Sequence, residues 1–143
     1  MTTTIRKILG DRPLFSVAPD TAVQDAARMM AEHHVGAVTV VEDGRLVGIL
    51  SERDIVFRAS AAALPAAQTP VSAIMTADPV TIDIGSAVSQ ALLARLGDQF
   101  RHLPVTEDGK PVGVLSYRDI PAEYVMMLER FREMSSARAD EMG

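Results

Sequence analysis

Two apolar runs, each split by Glu-Asp-Gly, organise the chain: AVTVVEDGRLVGIL at 37–50 and HLPVTEDGKPVGVL at 102–115. Paired apolar runs around a short turn, where glycine supplies the positive φ that tight loops demand, predict two antiparallel β-hairpins. Ahead of each hairpin stands a short β-branched or aromatic stretch, LFSV at 14–17 and VTI at 80–82, that reads as a strand. An amphipathic helix follows in both places. Val23, Ala26, Ala27, Met30 and Ala31 recur at three- and four-residue spacing in the first, and Val88, Ala91, Leu92 and Leu96 in the second. Thr21 and Ser86 are the expected N-caps. Beyond each hairpin the chain turns helical again after Ser51 and after Ser116, so each half reads strand, helix, strand, strand, helix.

The halves are copies of one unit. Shifted by 65 residues, 16–55 aligns with 81–120 without a gap, and 14 of the 40 pairs are identical. Six of them fall in GILSERDI at 48–55 against GVLSYRDI at 113–120. A three-stranded sheet with helices on one face cannot bury both of its sides alone, so the repeat predicts an α+β fold in which two copies pack sheet to sheet. The expected boundaries are 5–60 for the first repeat, 61–70 for an Ala- and Pro-containing linker, 71–130 for the second repeat, and 131–143 for a helix end and tail. Pro121 removes a backbone donor early in the last helix and predicts a kink or restart there. Tyr124, Met127, Leu128, Phe131 and Met134 form one stripe, its inner part covering the core and its outer part facing a second subunit or client protein. The last residues, SARADEMG, are expected to fray.

Composition narrows the function classes. With 48% apolar and 23% charged residues the chain is ordinary globular material, and the absence of cysteine removes disulfides and thiolate chemistry. No apolar run has the length of a membrane span or an export signal, which leads us to expect a cytoplasmic protein. A formal net charge of −5, no tryptophan and 4% aromatics poorly supply a groove for nucleic acid. His33 and His34 are helical neighbours that face different ways, with no third ligand spaced to join them. Glu42-Asp43 and Glu107-Asp108 are turn residues without a nucleophile or base beside them, and no catalytic constellation is present. We expect binding rather than catalysis.

The candidate chemistry lies in the repeated Ser-x-x-Asp. Ser51 with Asp54, and Ser116 with Asp119, have the spacing of a capping box with a shortened acid, which stability alone explains at about 1 kcal/mol per cap. The same groups also suit a ligand: a hydroxyl and free amides for an anion, and a carboxylate for the two hydroxyls of a ribose. Gly48 and Gly113, inside the preceding strands, allow backbone or ligand to approach closely. Arg101 and His102 add two phosphate donors ahead of the second hairpin, where the first repeat has Gly36 and Ala37. The two sites are therefore expected to differ, with one strong and the other weak or empty. Arg53 and Arg118 fit a phosphate, a dimer contact or a solvated surface equally well.

Together HVGAVTVVEDGRLVGILSERDI, IMTADPVTI and FRHLPVTEDGKPVGVLSYRDI resemble the tandem CBS (cystathionine β-synthase) domains, in particular the small stand-alone bacterial two-repeat type, from about Ile5 to Leu128. That resemblance implies a regulatory module with two clefts between its repeats that bind an adenosine-containing ligand: AMP, ADP, ATP, NAD or S-adenosylmethionine. By motif position, Asp54 and Asp119 would hold ribose, Ser51 and Ser116 would approach phosphate, Thr81 and Ile82 would line the adenine pocket, and Arg101 and His102 would reach phosphate. It also implies a homodimer of two-repeat modules, whose packing answers to the ligand and acts on a client protein. The competing reading is a ligand-free dimeric scaffold in which the Ser-x-x-Asp motifs are caps and the clefts are vestigial.

Overall fold

The computed structural model describes residues 3–93 and 101–142. Both predicted hairpins are present: β2 (Ala37–Glu42) with β3 (Arg45–Ser51), and β6 (His102–Glu107) with β7 (Lys110–Ser116). The two-residue loops have positive φ at both positions, 51° and 77° at Asp43-Gly44 and 52° and 79° at Asp108-Gly109. That is the type I′ turn, whose twist matches the flanking strands. Each hairpin shifts register once, at Val40/Val41 and at Val105/Thr106.

The short leading strands β1 (Ser16–Val17) and β5 (Ile82–Asp83) add parallel to β2 and β6. A strand absent from the expected pattern, β4 (Thr76–Ala77), joins β3, so the sheets run β1-β2-β3-β4 and β5-β6-β7. Strands β2 and β3 of the first sheet lie against β7 of the second. The chain is thus an α+β protein of two repeats. On α2 (Val23–His33) the expected stripe is buried at Val23, Ala26 and Met30, and on α4 (Val88–Leu93) at Val88 and Ala91; Leu96 lies outside the described residues. Thr21 is not the N-cap of α2. That position is Ala22, and the Thr21 hydroxyl accepts instead from the Ala18 amide at 3.1 Å.

The N-terminal helix α1 (Ile5–Leu9) has no counterpart in the expected pattern, and it packs on the second repeat. Ile5 and Leu9 join Ile82, Val88, Leu103, Val105 and Leu115 in one core, while the Ile5 and Arg6 amides donate to the carbonyls of Ser86 and Ile84, both at 2.9 Å. The segment that follows the expected linker treats the first repeat similarly, since Val71 and Ile74 are buried in its core and β4 pairs along β3. Each repeat is therefore completed by chain that precedes the other. The strand glycines make room for this. A Cβ on Gly48 would stand 3.0 Å from the Thr76 carbonyl oxygen and 2.5 Å from Met75 Sδ, and one on Gly113 would stand 3.0 Å from Leu9 Cδ1.

After the hairpins the repeats diverge. In the first, α3 (Glu52–Asp54) runs on into a π-helical segment, Ile55–Ser60. In the second, the 3₁₀ turn Tyr117–Asp119 stops at Ile120, which is extended at φ −78° and ψ 125°, and α5 (Ala122–Met142) starts anew. Pro121 accounts for the break, because a residue before proline is pushed out of the helical region. Tyr124 and Val125 of α5 pack on the second core, whereas Met126, Met127, Phe131 and Met134 are exposed. Helix α5 runs through to Met142, and no proline or glycine lies between Pro121 and that end to stop it earlier.

Candidate functional site

Both Ser-x-x-Asp motifs fold as complete capping boxes. Asp54 Oδ2 accepts from the Ser51 amide at 2.9 Å and from the Ser51 hydroxyl at 3.1 Å, while the Asp54 amide donates back to Ser51 Oγ at 3.2 Å. Asp119 Oδ2 accepts from the Ser116 amide at 2.7 Å, and Ser116 Oγ accepts from the Arg118 amide at 3.3 Å. In each box one carboxylate oxygen serves the cap, and an arginine addresses the other. Arg58 Nε stands 3.6 Å from Asp54 Oδ1, and Arg12 Nη1 stands 2.8 Å from Asp119 Oδ1.

Both boxes open onto one groove of about 1880 Å³. Its lining draws on both repeats and on the stretches between α1 and β1 (Arg12–Phe15) and between β4 and β5 (Pro79 and Val80). Arg12, Arg53, Arg58, Arg101 and Arg118 line it against three acids, Glu52, Asp54 and Asp119. A chain with formal net charge −5 has thus gathered a cationic excess here. Such a surface favours an anion.

Of the residues singled out in the sequence, Ser51, Arg53, Asp54, Arg101, His102, Ser116, Arg118 and Asp119 all line the groove. Thr81 and Ile82 do not. Thr81 is exposed and Ile82 is buried in the second core, while their neighbours Pro79 and Val80 face the groove instead. The Arg53 guanidinium lies over the Phe57 ring at 5.5 Å. His33 stacks on Phe15 at 4.1 Å between centroids, and among the described residues no three His, Cys, Asp or Glu side chains group as metal ligands. Arg12 and Arg58 carried no signal in the sequence, since neither belongs to a motif and the partner of Arg12 is 107 residues away.

Gly36 and Ala37, where the second repeat has Arg101 and His102, have a packing role. A Cβ on Gly36 would stand 3.2 Å from His102 Nε2 and 3.4 Å from Glu52 Oε1, so a side chain there would press on the imidazole. Burial lowers the His102 pKa below its ordinary 6.5, against the opposing pull of Glu52 and Asp119. A histidine held neutral when folded protonates first in the unfolded chain. Stability is therefore full above pH 6.5 and declines as pH falls from there toward the depressed value. Thermal unfolding between pH 7.5 and 5.5 is expected to show this decline in the native chain and a weaker one in His102→Gln; equal slopes would contradict it.

Comparison with known proteins agrees with this architecture. The CBS domain family model matches twice, at 5–60 and 71–123. The chain is 35% identical over 105 residues to the CBS domain-containing protein YhcV of Bacillus subtilis, covering 73% of this chain and 74% of that one. It is 37% identical over 109 residues to an uncharacterized 17.7 kDa protein of Acidianus ambivalens, covering 75% of this chain and 65% of that one. A CBS domain protein from Pyrobaculum aerophilum, solved in complex with AMP, superposes with a TM-score of 0.75 at 28% identity, over 89% of this chain and 97% of that one. No helix among the described residues is long and apolar enough to cross a membrane. With a duplicated sheet-and-helix unit, a Ser-x-x-Asp box at the same place in each copy and two matches to one family model, this chain belongs to the CBS-domain family.

Proposed function

We propose that the chain is a regulatory sensor of adenine nucleotides that works by binding rather than catalysis. The observation that carries this reading is the groove itself: both Ser-Asp boxes and five arginines converge on it in an otherwise acidic chain. The AMP complex of the similar Pyrobaculum protein supports the same ligand class. In this reading Asp54 and Asp119 accept from ribose hydroxyls, and Ser51, Ser116, Arg101 and His102 meet phosphate, with Arg53 and Arg118 at its margin. Adenine lies along Pro79 and Val80, the groove-facing neighbours of Thr81 and Ile82. AMP, ADP, ATP, NAD and S-adenosylmethionine share the adenosine that this arrangement reads.

The regulatory step follows from where the walls come from. A ligand that touches both repeats and the crossing segments stabilises one relative placement of them over another, which is the differential affinity that any conformational signal requires. A cytoplasmic homodimer of two-repeat modules would pass that change to a client protein, with the exposed Met127, Phe131 and Met134 face of α5 available for contact. One observation favours a ligand-free dimeric scaffold instead: the caps satisfy themselves, with both Asp119 oxygens already engaged. Thermal unfolding against AMP, ADP, ATP, NAD and S-adenosylmethionine separates the two. A ligand at 100 times its dissociation constant adds about 2.7 kcal/mol to a folded state that alone binds it. A rise with at least one of them is expected; no rise at millimolar concentration would leave the scaffold.

A further inference from the structure

We infer that Arg12 sets the charge of the ligand that the Asp119 end of the groove accepts, closing it to uncharged nucleosides and opening it to phosphate-bearing ones. The inference rests on the adenine-nucleotide reading above and adds to it what the adenosine must carry.

Arg12 Nη1 donates to Asp119 Oδ1 at 2.8 Å and the Ser116 amide donates to Oδ2 at 2.7 Å, so both oxygens of a carboxylate only 14% exposed are engaged. A ribose diol that takes this carboxylate displaces the guanidinium. The freed cation then sits in a groove that already holds four other arginines. A ligand phosphate restores the lost charge-assisted pairing, in a geometry that guanidinium matches well. Adenosine offers no anion, and a sulfonium ligand adds another positive charge.

The placement of Arg12 is built into the backbone. Helix α1 is anchored by the buried Ile5 and Leu9, and Gly10 ends it at φ 54° and ψ −132°, a conformation that residues with a Cβ rarely adopt. The Arg12 amide then donates to the Leu9 carbonyl at 3.2 Å. The first repeat lacks this device. Shifting by 65 residues puts Ala77 in register with Arg12 and Glu123 with Arg58. Asp54 is met at 3.6 Å by Arg58, four residues along its own helical segment and tied through Nη1 to the carbonyls of Ile74 and Met75. The cation at Asp119 instead comes from a segment that crosses between the repeats.

Calorimetric titration of the full chain with AMP and with adenosine, in the native protein, Arg12→Gln and Arg12→Lys, tests this. The Arg12 side chain is half exposed, so the fold is not at stake. The native chain is expected to prefer AMP by about tenfold or more. Arg12→Gln is expected to bind AMP more weakly and adenosine more tightly, because Asp119 is released, and Arg12→Lys is expected to keep the preference for AMP. Adenosine affinity unchanged in Arg12→Gln would overturn the inference while leaving nucleotide binding intact. Failure of the native chain to bind AMP at all would overturn both.

Discussion

Ile5→Ala is expected to destabilise the protein by about 2–5 kcal/mol, as a core truncation does, although the residue lies in a helix of only five residues. Ile5 is fully buried and sits in the second repeat's core with Leu103, Val105 and Leu115. Its helix is also held by the Ile5 and Arg6 amides on Ser86 and Ile84, so a cavity there loosens the contact between the chain start and the second sheet. Chemical denaturation, comparing Ile5→Ala with the exposed-site control Met127→Ala, checks this. A cost for Ile5→Ala below about 0.5 kcal/mol, the level of an ordinary surface change, would show that α1 is not part of the second core.

Asp119→Asn is expected to weaken AMP binding by about 10- to 100-fold, the loss that follows when hydrogen bonds to a charged acceptor worth about 1.5–3 kcal/mol are removed. Asparagine keeps the shape and can still accept from the Ser116 amide, so the cost to folding is expected to stay within the roughly 1 kcal/mol of a cap. The substitution also dissolves the pair with Arg12. For that reason its effect on adenosine separates two roles: Arg12→Gln improves adenosine binding by freeing the carboxylate, and Asp119→Asn removes the carboxylate itself. Titration of both variants with both ligands reads this directly. An Asp119→Asn protein that held AMP as tightly as the native chain would remove Asp119 from the ribose site.

The parts of the fold that rest on local chemistry were legible in the sequence. Asp-Gly pairs between apolar runs dictate type I′ hairpins, and Ser-x-x-Asp dictates a capping box, whatever lies elsewhere in the chain. Pro121 likewise announced the break that separates the 3₁₀ turn from α5. What depends on distant partners was not legible. Helix α1 is five residues long and owes its place to Ile82, Val105 and Leu115, far along the chain, so no periodicity of its own could announce it. Strand β4 has two residues and exists because Gly48 leaves room beside it. Arg12 and Arg58 reach the aspartates by tertiary placement alone. The strand glycines mark points of close approach, by Met75 and Thr76 at Gly48 and by Leu9 at Gly113.

Equilibrium dialysis of the native chain against labelled AMP decides whether the groove holds a nucleotide. Saturable binding is expected, displaced by unlabelled AMP and sharply weakened in Asp119→Asn. No saturable uptake up to millimolar AMP, with ADP, ATP, NAD and S-adenosylmethionine equally inert, would contradict it and leave the Ser-Asp boxes as caps of a folding and assembly module.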